Sequence, residues 1–277
     1  MMHRTLLGGV TAMLLAAGPP PVPEPEPWTT LEPGLDLAAF PAPRASDVGD
    51  SRIRVLRIDP ERFELTLLSA SAGDGLKRTA KVWSTDFDLV AAINASMFQQ
   101  DHRTSVSLMR TRDHVNNSWV SKDKTILAFD PDAGVEPRVR MIDRGCDDLD
   151  ETARGYGTLV QSIRMVSCDG RNVWSPQPRR WSTAAVGLDR DGRVLFVHVR
   201  SPYSTHDLIE MLLGLPLDLD RCMYTEGGPE AQMYIHSGLV EHELVGSFET
   251  GFLADDSNAI AWPVPNVIGV TRRVPGP

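Results

Sequence analysis

Carboxyl side chains beside paired glycines are the strongest chemical signal in this sequence. Met223-Tyr224-Thr225-Glu226-Gly227-Gly228-Pro229-Glu230-Ala231 reads as a strand delivering Glu226 into a Gly-Gly-Pro turn, with Glu230 just past it. Gly227 and Gly228 allow positive φ and a close approach of backbone to a ligand. A carboxylate fixed there can stabilise positive charge or activate water. The same residues also describe a plain hairpin turn with two solvated carboxylates.

Three further stretches carry polar groups that packing alone does not readily explain. Ile93-Asn94-Ala95-Ser96-Met97-Phe98 puts an amide at the end of an apolar strand, where Asn94 either makes a turn or presents two donors and an acceptor. Gln161-Ser162-Ile163-Arg164-Met165-Val166 holds an arginine within a strand, either a solvated outer-face residue or an anion clamp. His198-Val199-Arg200-Ser201-Pro202-Tyr203-Ser204-Thr205-His206-Asp207 links a strand end to a helix start. Such a link is either a polar connection or an anion site facing helix N-terminal amides. No Gly-x-Ser-x-Gly elbow, phosphate-loop lysine motif or Gly-x-Gly-x-x-Gly occurs, so serine-nucleophile and nucleotide-binding readings fail.

Strands must position these residues. Alternation predicts strands over Arg52–Ile58 and Phe63–Leu68, joined as a hairpin by Asp59-Pro60-Glu61-Arg62. Further strands are expected at Asp88–Ile93, Thr125–Phe129, Ser162–Val166, Ala184–Leu188, Val194–Val199, Met223–Thr225, Gln232–Ile235 and Val267–Val270. An Asp-Gly turn at Asp191-Gly192 joins two of them. Helices are expected over Thr79–Phe87 and Ser204–Leu213, the second capped by Ser204 or Thr205 and ended by Gly214 and Pro216. The expected fold is α+β: one domain, a mixed and largely antiparallel sheet with a few packed helices.

Composition narrows the function classes. Lys+Arg 28 against Asp+Glu 37 gives 28 − 37 = −9, a balance that disfavours nucleic-acid binding. Hydrophobics at 42% and charged residues at 23% describe a globular chain. Met1-Met2-His3-Arg4, the apolar block Thr5–Gly18 and the Pro-rich stretch to Pro27 read as a secretory signal and spacer, with a domain from Trp28 onward. No other stretch is apolar enough to span a membrane. Cys146, Cys168 and Cys222 fit no zinc pattern. Cys146 and Cys168 either close a loop or remain packed thiols. No metal or cofactor is expected.

Taken in order, the segments resemble the phosphodiester glycosidase family, the N-acetylglucosamine-1-phosphodiester alpha-N-acetylglucosaminidase-like domain, over roughly Trp28 to Arg272. The resemblance rests on Trp28-x-x-Leu31-x-Pro33-Gly34, on AAINASMF from Ala91, on AAVGLDRDGRVLFVHV from Ala184, on the Thr205-led helix and on the acidic Gly-Gly turn. That turn usually reads Leu-Asp-Gly-Gly in the family, whereas Thr225-Glu226 stands here, and Ser182-Thr183 occupies the place of a common arginine. The resemblance implies an exported hydrolase acting on a sugar-1-phosphodiester, through an oxocarbenium-like state that a carboxylate stabilises. On that reading Glu226 is the base or ion stabiliser and Glu230 its second. Asn94 orients sugar or water, Arg164 and Arg200 hold the phosphate, and His206 donates to it, with Gly227 and Gly228 against the substrate. The rival readings are a non-catalytic glycan-binding module of a cell envelope and an ordinary glycosidase on a phosphate-free glycan.

Overall fold

The computed structural model describes residues 27–274. The segment read from the sequence as a secretory signal and spacer lies, apart from Pro27, outside the described residues. In chain order the strands are β1 (Trp28–Glu32), β2 (Leu35–Pro41), β3 (Arg52–Ile58), β4 (Phe63–Ser69), β5 (Ala91–Asn94), β6 (Met109–Arg110), β7 (Val115–Asn117) and β8 (Thr125–Pro131). They continue with β9 (Arg140–Asp143), β10 (Tyr156–Val166), β11 (Trp181–Asp189), β12 (Val194–Tyr203), β13 (Leu219–Gly227), β14 (Gln232–Ser237), β15 (Val240–Val245) and β16 (Asn266–Arg272). The α-helices are α1 (Ala80–Asp86), α2 (Leu149–Thr152) and α3 (Thr205–Gly214).

Two sheets lie face to face. The larger runs β1-β2-β3-β12-β11-β13-β10-β6-β7, with β8 on β10 and β9 on β8; the smaller runs β15-β14-β5-β16-β4. Every ladder between the described strands is antiparallel, so the expected mixed sheet is corrected to an antiparallel one, and strands far outweigh helices. The fold class is therefore mostly β with a few packed helices.

Side-chain alternation makes the layers. Leu56, Val186, Phe196 and Met223 of the larger sheet meet Ile93, Met233 and Ile268 of the smaller. The opposite face of the larger sheet, with Val55, Ala185, Val197 and Tyr224, is covered by Leu208, Ile209 and Leu212 of α3. The outer face of the smaller sheet is covered by α1 through Trp83, whose Nε1 donates to the Val264 carbonyl at 3.1 Å. Both helices begin as their sequences require: Thr79 Oγ1 accepts from Val82 N at 3.2 Å, and Ser204 Oγ accepts from Asp207 N at 3.1 Å.

One expected hairpin does not form. β3 pairs with β2 and β12, while β4 pairs with β16 in the other sheet. Both edges of β3 are occupied and both its faces are buried, so the short link through Asp59 carries the chain across the sandwich. The turn is closed by Arg62 N and Phe63 N donating to the Asp59 carbonyl. By contrast, β11 and β12 form the expected hairpin, with Leu188 opposite Val194. β12 then runs on to Tyr203, so the polar stretch after His198 is strand rather than loop.

Candidate functional site

The end of β13 pairs with the start of β11, Glu226 opposite Ala184 and Gly227 opposite Thr183. The register slips at Thr225, a bulge of the kind that re-aims side chains at sheet ends. Ala184 belongs to the core between the sheets, and Glu226 shares its face. Glu226 is 7% exposed, and its Oε1 accepts from its neighbour Gly227 N at 3.0 Å. No cation reaches it among the described residues. Burial pushes its carboxyl up to about 8, the charges of Glu230 and Glu249 push the same way, and the Gly227 amide opposes them. Glu226 is therefore mostly protonated at neutral pH.

The two glycines are gaps that other groups occupy. A Cβ on Gly227 would collide with the Tyr224 hydroxyl and come within 2.9 Å of Trp181 Cδ1. A Cβ on Gly228, whose φ is +65°, would lie 2.8 Å from Glu249 Oε2. The turn thus brings a phenol, an indole edge and a third carboxylate against its backbone. Burial, followed by the charges of Glu226, Glu249 and Glu230, holds the Tyr224 hydroxyl well above the usual phenol range.

Beneath the turn, three buried side chains fix its outgoing limb. Asn94 Nδ2 donates to the Glu230 carbonyl at 3.0 Å, and its Oδ1 accepts from Gln232 N at 2.7 Å. Gln232 accepts from Ala80 N through Oε1 and donates to the Trp262 carbonyl through Nε2 at 2.8 Å. His198 Nε2 lies 3.3 Å from the Ala231 carbonyl. Burial pushes this imidazole down to about 4, so it is neutral and donates from Nε2. Asn94 is thus at the site, but as a brace for the backbone carrying Glu230.

Several buried donors around the turn have no partner: Trp181 Nε1, Thr183 Oγ1 and Thr225 Oγ1. An unmet buried polar group costs about 1–3 kcal/mol, so these three atoms are points of stored cost beside the turn. The pyrrole edge of Trp181 carries its N–H beside Gly227, and Tyr224 sits between Trp174, tilted at 6.3 Å, and Trp181, edge to face at 6.4 Å between ring centroids. Phe252 and Trp262, edge to face at 6.1 Å, lie on the segment that carries Glu249. Glu230, half-buried, is pushed up by burial and by Glu249, while His102 and Lys77 pull it down.

The other expected ligands are engaged in protein contacts of their own. Arg164 Nη1 bonds both oxygens of Asp143 at 2.8 and 2.9 Å, beside the Cys146–Cys168 disulfide. Arg200 is engaged through Nε with Asp256 at 2.7 Å, through Nη1 with the Val245 carbonyl, and through Nη2 with the Asp256 and Asn258 carbonyls. Its guanidinium thus pins the 245–258 segment. His206 Nδ1 faces Asp207, which pairs with Arg44. Of the residues singled out in the sequence, Asn94, Glu226, Gly227, Gly228 and Glu230 come together; Arg164, Arg200 and His206 serve other contacts. Glu249, Trp181, Tyr224, His102 and Lys77 complete the cluster. Tyr224 was visible as a neighbour of Glu226, but nothing in Phe248-Glu249-Thr250 marks Glu249 in advance.

Asp143, Cys146 and Cys168 are also the one group of potential metal ligands that converges among the described residues, and its two sulfurs are joined to each other. Cys222 is buried, and burial pushes its thiol up to about 12, so it is inert. No helix among the described residues is long and apolar enough to cross a membrane.

The phosphodiester glycosidase family model matches residues 87–271, a span that includes β5, the β11–β12 hairpin and the Gly-Gly turn. No curated protein sequence matches the chain. Among solved structures, the chain is similar to the zebrafish N-acetylglucosamine-1-phosphodiester alpha-N-acetylglucosaminidase catalytic domain, auto-inhibited by its pro-peptide. The identity is 10% and the TM-score 0.63, over 87% of this chain and 85% of that one. It is also similar to a hypothetical protein from Synechocystis at 13% identity and TM-score 0.57, over 87% of this chain and 62% of that protein. At these identities the structures share the fold, and the family model carries the assignment. The chain belongs to the phosphodiester glycosidase family.

Proposed function

We propose that this phosphodiester glycosidase family member hydrolyses a sugar-1-phosphodiester at the Gly227–Gly228 turn, with Glu226 as its proton-handling carboxyl. The observation that carries the reading is a secluded, mostly protonated carboxyl at the Gly-Gly turn, with the charges of two more carboxyls acting on it. A protonated Glu226 suits donation to the departing oxygen, in place of the ion-stabilising role read from the sequence. The bond between the anomeric carbon and the phosphate oxygen breaks, and its electron pair leaves with the phosphate. Water adds at the anomeric carbon, and its proton passes to an ionised carboxylate. Free sugar and a phosphomonoester result.

The anion needs basic partners, and the basic side chains whose charge pulls Glu230 down are His102 and Lys77. Trp181 Nε1 and the Thr183 and Thr225 hydroxyls suit sugar hydroxyls, and Phe252 with Trp262 offers an apolar wall for a pyranose face. Export is part of the reading: the apolar N-terminal block supports it, and so does the Cys146–Cys168 disulfide, a bond of oxidising compartments.

One observation favours a second reading, an ordinary glycosidase on a phosphate-free glycan. A phosphate monoester, with its second pKa near 6, leaves with little help from an acid, whereas Glu226 is held protonated. The experiment that separates the two offers purified protein matched glycosyl phosphodiesters and neutral aryl glycosides of the same sugars. Release of free sugar from the diesters at a kcat/KM at least tenfold above the neutral glycosides supports the first reading. The reverse ratio supports the second, and turnover of neither leaves a glycan-binding module.

A further inference from the structure

Glu249 is not among the carboxylates that the acidic Gly-Gly motif announces, yet the fold is arranged to admit it. Its backbone is fixed on both sides: Glu249 N donates to the Leu253 carbonyl at 2.7 Å, and the Glu249 carbonyl accepts from Phe252 and Leu253 N. The flanking residues are stitched to β11, Ser182 N donating to the Phe248 carbonyl at 2.9 Å and Thr250 N to the Arg180 carbonyl at 3.0 Å. Beyond it, Arg200 ties down Val245, Asp256 and Asn258. The side chain then lies along Gly228, with Cβ 3.3 Å and Oε2 2.8 Å from where a Gly228 Cβ would stand.

The side chains around it are bonded: Ser247 Oγ to the Asp255 carbonyl, Thr250 Oγ1 to the Arg180 carbonyl, and Asp256 to Arg200. Among the described residues, nothing bonds the Glu249 carboxylate. A half-buried carboxylate without a cation or a donor among the described residues, on a fixed backbone at a turn shared with another carboxyl, is free to meet a reacting partner. Glu230 differs, because it faces His102 and Lys77.

We propose that Glu249 is the ionised carboxylate that acts opposite Glu226, taking a proton from water as the water oxygen bonds to the anomeric carbon. This rests on the hydrolase reading above. As the bond to the leaving oxygen breaks, its electron pair departs with that oxygen and Glu226 supplies a proton, so each carboxyl ends in the state opposite to its start. Gly228 is then a positioning residue: its φ of +65° favours glycine, and a side chain there would also press on Glu249.

The test compares Glu249→Gln, Glu249→Ala, Gly228→Ala and Glu230→Gln in the full chain. With a glycosyl phosphodiester or glycoside that the parent hydrolyses, Glu249→Gln is expected to lose at least 10²-fold in kcat. Gly228→Ala should follow it, and Glu249→Ala should regain activity with added formate or azide. Glu230→Gln should lose about tenfold or less. Retention of near-parent activity by Glu249→Gln overturns the proposal, as does formate rescue of a Glu230 truncation alone.

A second measurement does not depend on turnover. Tyr224 is titrated by NMR of ring-labelled tyrosine, and its ionisation should move to lower pH in Glu249→Gln, more than in Glu230→Gln. That order follows from the charges facing the phenol, Glu226 first, then Glu249 and Glu230. An unmoved Tyr224 places the Glu249 charge outside the cluster and overturns the proposal. An inactive parent with a shifted Tyr224 overturns only the hydrolase reading.

Discussion

Asp143, at the end of β9, and Glu226, near the end of β13, are carboxyl groups of similar seclusion, 1% and 7% exposed. For Asp143, burial is the largest influence and pushes the carboxyl up, yet the Gly145 amide, Arg164 and the Cys168 amide together bring it below the ordinary range. For Glu226, burial also pushes up, Glu230 and Glu249 add to it, and one amide opposes them. Withdrawal from water acts in the same direction in both places. The donors around each carboxyl decide the outcome: a guanidinium and two amides in one corner, a single amide and two like charges in the other. The first arrangement holds a charge inside the fold and the second holds a proton there.

The largest expected effect is on the pH dependence of stability. Burial pushes Glu226 from an ordinary 4.5 up to about 8 in the folded chain, so its contribution is fully favourable below 4.5 and is lost as pH rises through about 8. At 1.36 kcal/mol per unit, that loss is at most about 5 kcal/mol. Asp143 runs the other way, stabilising above its ordinary 3.8 and losing this contribution as pH falls through its lowered folded value. Urea unfolding of the parent from pH 4.5 to 8.5 should show a decline that Glu226→Gln removes. An equal decline in both proteins would mean that Glu226 is not the group held protonated.

Glu226→Gln should also lower kcat by 10²–10³, about 2.7–4 kcal/mol, while stability at pH 8 rises or stays level. Loss of activity without loss of fold is the outcome that would distinguish this corner from the other. The pairing of the two results is checked by assay and urea midpoint on the same preparation.

The complementary change is Arg164→Ala. It leaves Asp143 buried with two amides and no cation, and should cost about 3 kcal/mol of stability, the low end for breaking a buried pair, because Arg164 is 24% exposed. Turnover at temperatures where the variant remains folded should be unchanged. A drop in kcat/KM with an unchanged urea midpoint would return Arg164 to the role of anion clamp.

These contrasts also mark what the sequence discloses. The strands with strict alternation are legible, β3 to the residue, because alternation fixes which side chains are inward. Which edge pairs with which is not: the Asp59 turn looks like a hairpin, and only the occupied edges of β3 exclude one. Within the site, Glu226 and Glu230 are legible because a strand end and two glycines flank them. Arg164 and Arg200 are legible as unusual residues in strands, but their partners Asp143 and Asp256 lie 21 and 56 positions away, so their task is invisible until the chain folds. Glu249 comes from a segment without periodicity or turn signature, and only the space above Gly228 reveals it.

The smallest expected effect belongs to Glu230, and its direction tests how the cluster shares charge. Glu230 is the largest like charge on Glu226, so Glu230→Gln should lower the Glu226 pKa. If the protonated form of Glu226 is the active one, the alkaline limb of the kcat/KM profile moves to lower pH, and activity at pH 7 falls by about tenfold, or 1.4 kcal/mol. The loss should shrink as the assay is taken toward pH 5, because Glu226 regains its proton there. The Asn94 and Gln232 contacts to the backbone around residue 230 do not involve its carboxylate, so the turn itself should keep its shape. A bell-shaped profile measured for parent and variant decides the matter. A uniform loss of 10²-fold or more at every pH would make Glu230 a direct proton carrier, and the contrast between the two corners would then rest on a different pair of carboxyls.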